Sequence, residues 1–121
     1  YITKNNVVVG IWHHVAMTYN GSTLRLFLDG AEVSGSPSSA SGAITASASS
    51  LEIGRDSLDS GAGFYNRCFT GSLDNIRIYN IAMPVSQVKE QYYAGLNSLL
   101  ANGGINKEEY AQRINSLGMG D

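Results

Sequence analysis

Charge is scarce in this sequence, and cysteine scarcer. Only 15% of the 121 residues are Asp, Glu, Lys or Arg, and 8 basic against 10 acidic groups leave a formal net charge of −2. A protein that tracks a nucleic-acid backbone needs a surplus of Lys and Arg to displace counterions, so no nucleic acid is expected as a partner. No apolar run approaches the roughly 20 residues that span a bilayer, which argues against membrane insertion by this segment. Tyr1 to Gly10 lacks the charged, apolar and small-residue regions of a signal peptide. Serine-hydrolase chemistry lacks its Gly-x-Ser-x-Gly elbow. A single cysteine, Cys68, cannot form an internal disulfide. It reads as a small buried hydrophobe. The alternative is a bond to a cysteine outside this chain, favoured by an opening without methionine; thiol catalysis would need a general base that is not near it. What is present is a 43% hydrophobic fraction, ordinary for a packed protein. The length suits one domain of roughly 100 to 150 residues, and wholesale disorder is not expected.

Residues 1–83 read as strands and loops. In Trp12-His13-His14-Val15-Ala16-Met17-Thr18-Tyr19, Val15, Met17 and Tyr19 share one face and Trp12, His14 and Ala16 the other, which suits a strand covered on both sides. Asn20-Gly21 supplies a tight hairpin. Leu24-Arg25-Leu26-Phe27-Leu28 sends its leucines to one side and Arg25 and Phe27 to the other, and Asp29-Gly30 makes a second turn, so residues 13–33 form an antiparallel meander. Between Ser34 and Ser50 there are eight serines and no charge. This stretch reads as a long surface connection with a weak edge strand over Ala43-Ile44-Thr45-Ala46. Leu51-Glu52-Ile53-Gly54 is a short strand, Arg55 to Asn66 a loop, and a strand pair follows at Arg67–Thr70 and Ser72–Asn80.

After Pro84 the period changes to that of helices. Ser86 can cap a helix through Val88, Tyr92 and Tyr93 that stops at Gly95. A second short helix carries Leu96, Leu99 and Leu100 and ends at Asn102-Gly103-Gly104. A third begins at Asn106, with Glu109 in the capping-box position, Ile105 as the staple residue, and Tyr110, Ile114 and Leu117 on one face. Residues 84–121 are thus a helical extension of a β domain over 1–83. Such a hairpin buries too little to stand alone, so it docks on its own domain or on a neighbour.

Three segments together carry a resemblance. Trp12 to Gly21 with Leu24-Arg25-Leu26-Phe27-Leu28-Asp29-Gly30, then Leu51-Glu52-Ile53-Gly54, then Phe69-Thr70-Gly71-Ser72-Leu73-Asp74-Asn75-Ile76-Arg77-Ile78-Tyr79-Asn80 resemble laminin G-like, concanavalin A-like jelly-roll domains over about residues 7–95. The resemblance implies an all-β fold, an antiparallel jelly-roll sandwich, here with a short C-terminal helical hairpin. It also implies strands ahead of the Trp-His segment, so that this chain is expected to be the C-terminal part of a longer protein, with edges that invite pairing. Leu96 to Tyr110 resembles a helical-hairpin motif that mediates oligomerisation or partner contact, which makes 96–117 a candidate for homo-oligomer or filament contacts.

Hydrolysis of glycans on this fold requires carboxylates a few ångström apart on one sheet. Glu32, Glu52 and Asp74 lie on separate segments and no strand shows Glu-x-Asp-x-x-Glu, so the chain is not expected to be an enzyme. His13 and His14 are adjacent and point to opposite faces of a strand, so they cannot chelate one metal together; one of them packs or hydrogen-bonds inside the sandwich beside Trp12. If Ile76 and Ile78 face the core, Asp74 does too, and a buried carboxylate requires backbone donors, a cation or a metal. The resemblance implies a structural Ca2+ with Asp74 among its oxygen ligands. Arg55, Asp56, Asp59, Tyr65 and Asn66 are the candidate ligand-binding residues: a flat aromatic face beside guanidinium and amide groups is what sugar recognition uses. An ordinary solvated hairpin loop is the alternative there. The expected function is a non-catalytic extracellular or cell-surface module that recognises glycan or protein. The alternative is a structural subunit of an extracellular filament, pilus or surface layer, with a glycoside hydrolase fragment behind both.

Overall fold

A computed structural model describes residues 7–56 and 67–118. The elements run β1 (Val15–Tyr19), β2 (Thr23–Leu28), β3 (Ala31–Glu32), β4 (Ser38–Ser39), β5 (Arg55–Asp56), β6 (Arg67–Cys68), α1 (Val85–Ala101) and α2 (Lys107–Gly118). They fall into two compact units, Tyr1–Ala43 with Tyr79–Asp121, and Ile44–Ile78. Spatial grouping therefore differs from the sequence division at 83/84: the helices belong with the first strands.

In the first unit β1, β2 and β3 follow one another in an antiparallel sheet and β4 also pairs with β2. Asn20 closes the β1–β2 turn, its Oδ1 accepting from the N–H groups of Ser22 and Thr23 at 3.0 and 2.8 Å. The β2–β3 turn is Asp29-Gly30, at φ 52° and 77°. Positive φ at both central residues is the two-residue hairpin whose twist matches its strands. The serine-rich stretch contributes its strand at Ser38–Ser39, opposite Thr23 and Leu24, and not at 43–46. Serine hydroxyls bond their own backbone readily, so composition says little about which pair will join a ladder.

The register Val15↔Leu28, Met17↔Leu26, Tyr19↔Leu24 puts these side chains on one face, and Ala16↔Phe27 and Thr18↔Arg25 on the other. Phe27 is fully buried, whereas Val15 and Met17 are 66% and 68% exposed. The strand expected to be covered on both sides is covered on one. Trp12, expected inside, is 44% exposed. Alternation reports which side chains want burial; it does not supply the layer that buries them.

Gly95 does not stop a helix. α1 runs unbroken through it from Val85 to Ala101, and Val88, Tyr92 and Leu96 are buried at four-residue intervals. A mid-helix glycine costs about 1 kcal/mol against alanine. Burying one large apolar side chain returns roughly 1.5–3 kcal/mol, so the apolar face wins. Pro84, not Ser86, holds the N-cap position, with no side-chain cap bond. The helix ends at Asn102, Gly103 turns at φ 73°, and Gly104 N–H donates to Leu99 O at 2.8 Å. Asn106 caps α2, accepting from Glu109 N–H at 2.8 Å, while the Glu109 carboxylate reaches forward to Arg113 at 2.6 Å. The capping box is thus half formed. Tyr92, Leu96, Ile105 and Leu117 make one core cluster, with Tyr110 and Ile114 packed on it.

The hairpin docks in cis. A Cβ placed on Gly30 would lie 3.0 Å from Tyr92 Cδ1 and 3.2 Å from Leu117 Cδ1, so both helices rest on the β2–β3 turn. Arg113 of α2 also donates to the Trp12 carbonyl at 2.9 Å. The buried residues within 96–117 are used inside this chain, which leaves less of that face for filament contacts.

The second unit is built on the β5–β6 hairpin, Arg55 opposite Cys68 and Asp56 opposite Arg67, continued by Phe69 N–H to Gly54 O at 2.7 Å. The strands expected at 51–54 and 72–80 are not formed; among the described residues of this unit the ladder covers 55–56 and 67–68. Asn75 sits at φ 53°, which breaks the extended alternation, and Ile76 and Ile78 are exposed. Cys68 is exposed and free, not the buried hydrophobe expected.

Candidate functional site

A connected polar cluster centres on Asp29. The β2–β3 turn lifts its carboxylate against the residues that lead into β1. Oδ1 accepts from His14 N–H at 2.9 Å, Oδ2 lies 2.7 Å from His13 Nδ1, and Asp29 N–H donates to His14 O at 2.8 Å. His13 Nε2 lies 2.7 Å from Val8 O. The His14 ring turns the other way, with its centre 6.1 Å from that of Tyr92 in α1. Its Nδ1 is buried without a hydrogen-bond partner among the described residues. Burial lowers the His14 pKa from 6.5, and the Asp29 charge opposes that shift more weakly. The Tyr92 phenol is pushed up from 10.0, by burial first and then by Asp29, against the pull of Arg113. The adjacent histidines divide their roles as strand geometry requires, one hydrogen-bonded and one packed. Asp29 as their organiser was not legible, because a turn aspartate explains itself by its turn.

A groove of about 300 Å³ lies between the β1–β2 hairpin and the segment leading into α1. Thr18, Asn20, Thr23 and Arg25 line one wall and Ala82, Met83, Pro84 and Val85 the other. Arg25 Nη1 donates to both carboxylate oxygens of Glu32, at 2.9 and 2.8 Å, and Ser36 Oγ donates to Glu32 Oε1 at 2.6 Å. Glu32 is therefore committed to holding the strands. No strand pattern marked the groove in advance, since its two threonines and an arginine look like an ordinary solvated face.

The residues expected to bind ligand stand differently. Arg55 is exposed on β5, and Asp56 pairs through its backbone with β6. Asp59, Tyr65 and Asn66 lie outside the described residues. Asp74 is exposed, with Oδ1 accepting from Asn75 N–H at 2.7 Å and Oδ2 from Asn75 Nδ2 at 3.4 Å. The inward orientation expected of it fails because the left-handed residue beside it interrupts the strand. No group of three or more His, Cys, Asp or Glu side chains is gathered for a metal among the described residues. Asp74→Ala should change stability by no more than about 0.5 kcal/mol, the range of ordinary surface substitutions. Chemical denaturation checks this, and a loss of several kcal/mol would restore a buried, coordinated carboxylate.

Comparison with known proteins agrees with this architecture. No curated protein matches the chain. A solved structure with the same fold is that of an S-layer domain-containing protein (residues 221–444) from Clostridium thermocellum ATCC 27405, with TM-score 0.60 and 23% identity over 74% of this chain. The chain spans 43% of the length of that structure. Residues 1–89 match the laminin G-like profile described as the concanavalin A-like lectin/glucanases superfamily. With most of its length inside that match, the chain belongs to the laminin G-like family of the concanavalin A-like superfamily.

Proposed function

We propose that the chain is a non-catalytic binding module of an extracellular or cell-surface protein, recognising a glycan or protein in the groove beside the β1–β2 hairpin. The lining of that groove carries the reading. Hydroxyl, amide and guanidinium groups of Thr18, Thr23, Asn20 and Arg25 face an apolar wall of Met83, Pro84 and Val85, and no carboxylate is among them. Directional donors beside an apolar surface bind neutral polar ligands. Hydrolysis requires an acid pair flanking the scissile bond. Neither described helix is long and apolar enough to cross a membrane.

Val85→Arg, which fills the groove from its rim, should reduce binding on a glycan array or to an extracellular-protein panel at least tenfold with an unchanged melting temperature. Tyr65→Ala forms the second arm, because the sequence segment with Arg55, Asp56, Asp59, Tyr65 and Asn66 is the rival site. Loss in the first variant alone supports the groove, and loss in the second alone moves the site to that segment. Binding unaffected by either sinks the recognition reading.

A structural role in a surface layer or filament is the second reading. It draws on the exposed apolar face of Val15 and Met17 along β1, which pairs only with β2 among the described strands. Bare edges and open apolar faces favour contact with other chains. The S-layer designation of the similar structure points the same way.

A further inference from the structure

His13 places its two ring nitrogens against groups that only accept. Nδ1 is 2.7 Å from an Asp29 carboxylate oxygen and Nε2 is 2.7 Å from the Val8 carbonyl. A neutral imidazole carries one N–H and one lone pair, so it satisfies one of these acceptors and sets its lone pair against the other. The imidazolium donates to both. We propose that His13 is a proton-operated tether, which when charged ties the apolar segment around Val8 to the Asp29 turn and when neutral releases it.

The geometry also says which contact is given up. Asp29 is fixed from three directions, by its own turn, by its bond to His14 O and by His14 N–H. A ring with a single proton keeps it on Nδ1, facing the carboxylate, where a charged acceptor makes the stronger bond. Val8 O is then left without its donor. Among the described residues, two hydrogen bonds fasten the 7–12 stretch to the rest of the unit, His13 to Val8 O and Arg113 to Trp12 O. Loss of the first frees the end that carries Val7, Val8 and Val9, all exposed.

The neighbouring charges leave the switch to His13. Next to it in the chain, His14 has its pKa lowered by burial. From α1 comes Tyr92, whose phenol is raised further from neutrality, with Lys89 one turn before it on the helix. From α2 comes Arg113, paired with Glu109. From the β2–β3 turn comes Asp29, the carboxylate in direct contact. Histidine is the side chain that changes charge between about pH 5 and 8. The signs oppose each other. The tether is complete on the acid side and is lost as pH rises and His13 gives up its proton. His14, with a folded pKa below its ordinary 6.5, stabilises the fold above that value and loses this as pH falls through the folded pKa. Global melting curves sum the two, so the readout has to be local.

Uniformly 15N-labelled protein, titrated from pH 5 to 8, supplies it through the His13 ring nitrogen shifts and the backbone order parameters of residues 7–10. The expected result is protons on both His13 nitrogens at the acid end, one on Nδ1 at the alkaline end, and order parameters falling from about 0.85 to below about 0.6 over the same range. His13→Gln, whose amide does not titrate, should remove the pH dependence of residues 7–10. The wild-type ring shifts keep the test decisive if that variant does not fold. A single-proton ring at every pH, a charged ring at every pH, or order at 7–10 that ignores the ring titration overturns the tether.

Discussion

Phe27→Ala is expected to lower stability by about 3–5 kcal/mol, the cost of truncating a fully buried phenylalanine in a core that relaxes only in part. Phe27 is 0% exposed, on the sheet face shared with Ala16 and Arg25. For a chain of this size such a loss lowers the melting temperature by on the order of 10 °C or more. Met17→Ala, on the opposite face and 68% exposed, makes the internal comparison. It should cost under about 1 kcal/mol, because little surface leaves water there to be lost again. The pair, measured by urea denaturation, states which side of the sheet is the core. A Met17 effect equal to that of Phe27 would show the apolar face of β1 to be covered, and would remove the main support for reading it as an assembly surface.

The expectations that the structure meets were carried by local chemistry. Gly21 and Asp29-Gly30 turn the chain at positive φ where such residues should, and Asn20 closes its turn through its side-chain oxygen, since both are properties of the residues themselves. Asn106 caps α2 and Ile105 is buried beside it for the same reason. What was not legible depends on distant partners. Ser72 to Asn80 alternates as a strand does, yet pairing requires a neighbour that alternation does not name, and Asn75 turns left-handed in its middle. Gly95 carries a stop signal that is outweighed only when Val88, Tyr92 and Leu96 find something to bury against. Asp29 was read as a turn residue and Arg25 only as sharing a strand face with Phe27. Their roles toward His13 and in the groove appear once segments sixteen residues and more apart in sequence are folded back on each other, as the His13–Asp29 separation records.

Gly30 is the position where the turn and the helices meet, and Gly30→Ala is expected to cost roughly 2–4 kcal/mol. Part of this is conformational: at φ 77° a side chain crowds its own carbonyl, at about 1–2 kcal/mol. The rest is packing, because the new methyl would sit 3.0 Å from Tyr92 Cδ1 and 3.2 Å from Leu117 Cδ1. Overfilling a packed contact adds about 1–3 kcal/mol. Gly21 separates the two contributions. It lies in the other hairpin turn at φ 93°, with nothing within 4 Å of an added Cβ, so Gly21→Ala carries the conformational cost alone. The difference between the two melting curves therefore measures how firmly the helical hairpin rests on the β2–β3 turn. If Gly30→Ala and Gly21→Ala melt together, the helices are not seated there, and α1 and α2 are free to engage another surface.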